Sequence, residues 1–361
     1  MVTSTVTTTT STVRARAEGH ALDRAVELAE RGPIAGGNPR VGCVLLDPTG
    51  AVLGEGLHLG AGSPHAEAVA LSAVPASRRA ELSGATAVLT LEPCHHHGRT
   101  PPCSQALHDA GVTRVVHAVA DPDETAAGGA AWLRSVGVEA LTSADAGIAP
   151  AATARAEELT RSWAAAVRRR RPWLVAKTAT SLDGRVAAAD GTSRWITGPA
   201  SRAHAHSVRA DTDAVVVGTG TVAADDPALT ARDADGPLAE QPLRVVVGER
   251  DVPPAARLRR GPGQWHHVRT HDLTAVLEEL YGFGARHVLL EGGPTLLGAA
   301  LRAGLVDELH AYVAPVLVGG GTAAVRDLGV TTITDALRWR TVSTQRLGDD
   351  LFLIARPEGA Q

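Results

Sequence analysis

The residues best suited to chemistry are an imidazole with a carboxylate two residues on, and two thiols in a later proline-rich run. The first run is Pro64-His65-Ala66-Glu67. The second is Glu92-Pro93-Cys94-His95-His96-His97-Gly98-Arg99-Thr100-Pro101-Pro102-Cys103. His65, Cys94 and Cys103 supply three ligands to a tetrahedral zinc and leave the fourth position open, as hydrolytic zinc requires. Glu67 is then a proton carrier beside the reacting water and not a ligand. Cys43 stands apart: Val41-Gly42-Cys43-Val44-Leu45-Leu46 reads as a buried strand, and its thiol as core.

Three features of order agree. The His-x-Glu precedes an apolar helical run, residues 85–91 form a strand-like stretch leading into the Pro-Cys, and the second Cys follows in a proline-rich loop. This order resembles that of zinc nucleobase deaminases. The loop narrows the resemblance. Together with Asn38-Pro39-Arg40-Val41-Gly42 it resembles the deaminase half of the bifunctional riboflavin-biosynthesis deaminase-reductases. Ordinary cytidine deaminases hold their thiols two residues apart, whereas here residues 95–102 intervene. His95 stands where the family usually has Ser. Being adjacent to a ligand, it could alter the hydrogen bonding there or compete for metal. The resemblance also places the Asn38 amide on a sugar hydroxyl or pyrimidine edge. His58, His96 and His97 read as polar loop histidines near the same region.

Composition sets the class. The chain has 361 residues, room for two domains, with 44% hydrophobic residues, net charge -4 and pI near 6.4. That profile is a soluble globular one and does not suit a nucleic-acid binder. Three cysteines, two of them assigned to metal, leave no disulfide framework. A reducing cytoplasm is expected. No apolar run is long enough to span a bilayer, so no membrane partner is expected. Residues 1–12 are Thr-rich, lack the marks of a secretory signal, and are expected to be disordered. Lys177 is the only lysine in a chain that otherwise writes Arg. A compact donor, and not a planar fork, is expected to be needed there.

The elements that must position these groups alternate. Apolar residues at helical spacing over 21–29 end at Gly32-Pro33. Strands are expected at 41–46, 51–56, 85–91 and 114–120, with helices at 65–73, 103–110 and 130–136. Together they make a three-layer α/β sandwich of the cytidine-deaminase kind. A helix over 151–171 carries a basic run at its end, read as helix-terminal charge and not as an RNA site. The expected division is a tail at 1–16, a zinc deaminase domain at 17–149, a linking helix at 150–171 and a reductase domain at 172–361.

The second domain restarts an α/β pattern, with strands expected at 173–178, 213–218, 243–248, 287–291 and 308–318. Val217-Gly218-Thr219-Gly220-Thr221 and Leu290-Glu291-Gly292-Gly293-Pro294-Thr295 are glycine-bearing strand ends, and the second opens onto a helix whose free amides suit phosphate. Lys177-x-x-x-Ser181-Leu182-Asp183-Gly184, Ser193-x-Trp195-Ile196-Thr197, Asp225-Asp226-Pro227-x-Leu229-Thr230-x-Arg232 and Glu291-Gly292-Gly293-Pro294 resemble the reductase half of the same family. Its fold is similar to dihydrofolate reductase, and its cofactor is NADPH. The resemblance implies that Thr180, Trp195, Thr221, Asp225, Gly293, Pro294, Thr295, Leu296, Leu297, Gly298 and Ala299 line the cofactor. It further implies that Lys177, Ser193, Arg209, Leu229, Arg232 and Glu291 face a phosphorylated pyrimidine substrate. By analogy with dihydrofolate reductase folds, a cis peptide is expected at Gly292-Gly293. Residues 241–271 match least, and the partner of a 2′-phosphate is not legible. A homo-oligomer is expected.

Two other readings compete. One is a zinc deaminase of nucleosides or tRNA bases with a non-catalytic C-terminal half, against which the acidic charge and sparse aromatics argue. The other is a degenerate homologue, supported by His95 alone.

Overall fold

The structure, a computed structural model, describes residues 3–96, 101–326 and 328–359, with side chains from residue 12 onward. The chain divides into two units, Met1–Ile34 with Asn38–Arg168, and Ala35–Gly37 with Arg169–Gln361. Among the described residues no helix is long and apolar enough to cross a membrane.

The first unit runs α1 (Thr3–Ala29), β1 (Gly42–Leu46), β2 (Val52–Leu57), α2 (Ala66–Ala73), β3 (Thr86–Leu91), α3 (Cys103–Asp109), β4 (Arg114–Val119), α4 (Gly129–Ser135), β5 (Glu139–Thr142) and α5 (Pro150–Arg169). Its sheet has the order β2-β1-β3-β4-β5. β1 is antiparallel to both neighbours, and β3, β4 and β5 run parallel. Period-two alternation assigns the layers. Cys43, Leu45, Ala87, Leu89 and Val115 pack with Ala66, Ala70, Leu107 and Leu133 of α2, α3 and α4. Val44, Leu46, Val88 and Val116 pack with Leu22 and Ala25 of α1 and Ala152 of α5. The three-layer sandwich is therefore present, and Cys43 is core.

Two boundaries differ from expectation. Residues 3–16 belong to α1 and do not form an irregular tail. Glu18 is fixed inside that helix, its buried carboxylate taking Arg114 Nε at 2.6 Å and a second guanidinium nitrogen at 3.1 Å. A helix pinned there gains one hydrogen bond for each further residue. Residues 150–169 form a helix as expected, and up to Arg168 they group with the first unit. Ala152, Ala156, Leu159, Ala164 and Ala166 of α5 are buried, an amphipathic face that the first unit covers.

The second unit runs β6 (Trp173–Ser181), β7 (Arg185–Ala188), α6 (Pro199–Ala210), β8 (Ala214–Gly218), α7 (Thr219–Asp225), β9 (Leu243–Val247), β10 (Trp265–Val268), α8 (Leu273–Gly282), β11 (His287–Leu290), α9 (Pro294–Arg302), β12 (Glu308–Ala314), β13 (Gly321–Ala323), β14 (Trp339–Leu347) and β15 (Asp350–Pro357). Eight strands form one sheet in the order β10-β9-β8-β11-β6-β12-β15-β14. The strands from β10 to β12 are parallel, and β15 and β14 close the edge antiparallel. Near-continuous apolar strands such as Ala214-Val215-Val216-Val217 are what a sheet buried on both faces requires. One face packs Leu174, Val216, Val245 and Leu290 against Leu277 and Leu280 of α8 and Leu297 and Leu301 of α9. β12 stops at Ala314, short of the strand expected to 318, because Pro315 has no N–H for the ladder.

A zinc-type donor set in one unit and a glycine-edged sheet in the other

The deaminase-type donors come from three chain ends that meet at the carboxyl edge of β3. His65 is the extended N-cap of α2, with φ −68° and ψ 158°. Cys94 leaves β3 in the following loop, and Cys103 opens α3 behind Pro102. His65 Nδ1 lies 3.7 Å from Cys94 Sγ and 3.4 Å from Cys103 Sγ. All three donor atoms fall within 4.8 Å of one another, the one such group among the described residues. A tetrahedral zinc with ordinary Zn–N and Zn–S bonds separates those atoms by about 3.6 Å. The donor set therefore fits the metal. Hydrogen bonds from Cys103 and His65 hold the Cys94 thiol well below its usual range, which favours the thiolate a metal binds.

Glu67 sits one turn into α2 and is 4% exposed. Burial raises its carboxyl to about 6, against a usual 4.5. That places a proton carrier near neutrality beside the donor group. His58 is buried, its ring centroid 5.3 Å from that of His65 in an edge-to-face arrangement. Its Nδ1 meets Pro64 O at 3.1 Å, so it braces the segment carrying His65. Asn38 is half-buried in the irregular segment before β1. His96 is half-buried, and His97-Gly98-Arg99-Thr100 lie outside the described residues.

His95 is not one of the grouped ligands. Its Nδ1 meets Ser104 Oγ at 2.9 Å and its ring stacks on Trp132 at 5.0 Å. Ser104 in turn donates to the Cys94 carbonyl at 3.1 Å. His95 thus ties the loop of one thiol to the helix of the other. Sequence reasoning missed Glu92, whose carboxylate accepts Asp121 N–H at 3.2 Å and Ala130 N–H at 3.0 Å. It also missed Gly129, where a Cβ would stand 1.8 Å from Pro93 O. Only glycine lets α4 approach the ligand loop so closely.

In the second unit, Lys177, Arg209 and Glu291 converge. Arg209 grips Glu291 with two nitrogens, one of them at 2.9 Å, and its third reaches Thr230 O at 3.1 Å. Lys177 Nζ lies 4.0 Å from Glu291 and 5.7 Å from the Tyr312 ring centroid. Burial alone would raise Glu291, but the charge and hydrogen bonds of Arg209, with Lys177 and His206, bring it down to about 2. Burial lowers Lys177. Arg209 and Glu291, expected to face substrate, therefore spend much of their capacity on each other. Arg232 is exposed and donates to Thr230 Oγ1 at 3.1 Å. Leu229 is buried at positive φ (55°), so what it can offer a ligand is backbone. Ser193 lies in the loop between β7 and α6 with Trp195, which is 69% exposed under the Arg202 guanidinium.

The glycine-bearing ends of β8 and β11 are neighbours. Thr221 Oγ1 accepts Gly293 N–H at 3.2 Å, and Asp225 O accepts from Arg194 at 2.6 Å. Thr180 is buried on β6. Backbone without side chains at the carboxyl edge of parallel strands fits a dinucleotide. Of the seven consecutive residues expected to line the cofactor at α9, two face inward. Leu297 packs into the core and Gly298 is buried, because a helix turning every 3.6 residues cannot show all of them to one ligand. The cis peptide is also misplaced: among the described residues it lies at Arg194–Trp195. Gly293 instead caps α9 in an extended conformation, φ −67° and ψ 175°.

Fold and site together define a zinc-dependent deaminase joined to a nucleotide-dependent reductase. Family models divide the chain in the same way. The cytidine and deoxycytidylate deaminase zinc-binding region matches residues 16–119, and the RibD C-terminal domain matches residues 172–353. The riboflavin biosynthesis protein RibD of Mycobacterium tuberculosis is 49% identical over 318 residues, covering 87% of this chain and 90% of that protein. RibD of Escherichia coli is 37% identical, covering 92% and 97%. The solved structure of Acinetobacter baumannii RibD superposes with a TM-score of 0.85 at 34% identity, over 96% of this chain and 100% of that one. A Thermotoga maritima structure described as a diaminohydroxyphosphoribosylaminopyrimidine deaminase and 5-amino-6-(5-phosphoribosylamino)uracil reductase gives 0.82 at 27% identity, over 95% and 99%. The chain belongs to the RibD family, the bifunctional deaminase-reductases of riboflavin biosynthesis.

Proposed function

We propose that the first unit deaminates 2,5-diamino-6-(5-phosphoribosylamino)pyrimidin-4-one at its 2-amino group, and that the second reduces the ribosyl group of the product to ribityl with NADPH. The convergence of His65, Cys94 and Cys103 beside a buried Glu67 carries the first half of this reading. Zinc bound by those three side chains supplies Lewis-acid activation of the attacking water. Glu67 takes a proton from that water and returns it to the departing amine, so that a C–N bond is exchanged for a C–O bond and ammonia leaves. Its carboxyl near 6 suits both directions of transfer. Asn38 orients the sugar or the pyrimidine edge.

In the second unit NADPH supplies the hydride when bound. The free amides of the first turn of α9, those of Thr295 and Leu296 after Pro294, would hold its pyrophosphate, with Gly293, Thr221, Thr180, Trp195 and Asp225 around it. Lys177 donates to a sugar oxygen. Arg232 and Ser193 face the substrate phosphate, where a guanidinium fork is suited to two oxygens. Glu291 keeps Arg209 and Lys177 charged and in place. The substrate is a small molecule, with neither nucleic acid nor a membrane as partner. A homo-oligomer in the cytoplasm fits the reading.

Incubating the purified chain with the diaminopyrimidinone phosphate, with and without NADPH, tests each half. Ammonia release is expected without NADPH, and the ribityl product with it. Absence of ammonia from zinc-loaded protein would remove the deaminase half. The tRNA-base reading is not favoured, since RibD relatives match both halves.

A further inference from the structure

The carboxyl edge of the second sheet carries a cation that the site above does not use. β8 and β9 end side by side, Gly218 opposite Val247. The chain leaves β9 through Gly248, whose φ is 126° and where a Cβ would stand 2.8 Å from Thr219 Oγ1. The exit from β9 is thus pressed against the first turn of α7. Two residues on, Arg250 reaches over that turn, with one guanidinium nitrogen 3.4 Å from where a Cβ on Gly220 would lie. Its neighbours are tied down elsewhere: Asp251 pairs with Arg269, which also holds the Glu249 carbonyl at 3.0 Å. Among the described residues no carboxylate pairs with Arg250. The result is an exposed guanidinium over Gly220, in the first turn of α7, beside the glycine-bearing ends of β8 and β11.

A ligand along the carboxyl ends of parallel strands is read at successive strand ends. Beside a glycine-bearing strand end, a carboxylate selects a ribose diol and an arginine accommodates a 2′-phosphate. Glu249 and Arg250 offer both chemistries in sequence, and the guanidinium is the group seen over the turn. We propose that Arg250 recognises the 2′-phosphate of NADPH and so sets the second unit's choice between NADPH and NADH. The proposal rests on the NADPH-reductase reading.

Calorimetric titration of the full chain with adenosine 2′,5′-bisphosphate and with 5′-AMP tests it without turnover. In R250A the affinity for the bisphosphate should fall about 10- to 100-fold, the scale of charge-assisted hydrogen bonds. The affinity for 5′-AMP should stay near that of the wild type. The ratio of NADH to NADPH KM should fall by a similar factor, and R250K should recover part of it. If R250A keeps the full preference for the bisphosphate, or loses both ligands equally, Arg250 is not the determinant. A wild-type chain that binds neither dinucleotide overturns the reductase reading, and this assignment with it.

Discussion

Two buried glutamates, one in each unit, are pushed in opposite directions. Glu67 is raised to about 6 because burial outweighs its hydrogen bonds and the charge of His65, and no arginine or lysine lies against it. Glu291 would be raised by its own burial, yet Arg209 and Lys177 bring it to about 2. Environment, not residue type, divides the roles. A carboxyl near 6 can take and return a proton. A carboxylate held at about 2 stays ionised and serves as a fixed charge.

The largest expected effect follows from that division. Glu67→Gln should slow ammonia release by roughly 10²- to 10⁴-fold, the scale of general acid–base catalysis. Its zinc content, measured by metal analysis, should stay at the wild-type level. Undiminished turnover would remove Glu67 from the chemistry.

Next in size is Arg209→Met. This leaves Glu291 buried with Lys177 4.0 Å away as its remaining cation. Denaturant unfolding of the second unit should lose about 3–5 kcal/mol, the cost of breaking a buried pair from one side. A loss under about 1 kcal/mol would show that the pair is not a fixed anchor.

The pH dependence separates the two carboxylates by sign. Glu291 lies below its usual value of 4.5 when folded. Its stabilisation is therefore present above about pH 4.5 and is lost as pH falls toward 2. The contribution is about 3 kcal/mol by linkage. Glu67 lies above its usual value in the metal-free chain, so its contribution is present below about 4.5 and is lost as pH rises through 6. Stability curves of Glu291→Gln and Glu67→Gln should diverge from the wild type in those two windows. Divergence in the same window would contradict the contrast.

The smallest effect is expected at His95. Its contacts are Ser104 and Trp132, so His95→Ser should cost less than about 1.5 kcal/mol, the worth of one hydrogen bond. Bound zinc per chain should be unaffected; a fall would mean that the imidazole supports the metal directly.

Much of this was legible in the residues. The His-x-Glu and Pro-Cys runs name ligands because zinc has few chemistries of binding, and period-two strands name their own faces. Other features have no local signature. Glu92 looks like any loop carboxylate until Asp121 and Ala130 bring their amides to it. The β14–β15 hairpin was missed although Gly348 marks its turn, since β14 is mostly exposed and lacks the alternation that announces a half-buried strand. At α9 a motif gave seven consecutive residues one role, while the helix turns Leu297 and Gly298 inward.

The sequence by itself determined which atoms are available: one imidazole and two thiols for a metal, one lysine, and glycines at two strand ends. Tertiary structure decided their states. Whether a carboxyl is proton carrier or fixed anion depends on whether an arginine from another element lies against it, and residues 82 positions apart in sequence, Arg209 and Glu291, meet only after the sheet has formed. Charge and desolvation act through space, so a linear order of residues carries the donors but not their pKa values.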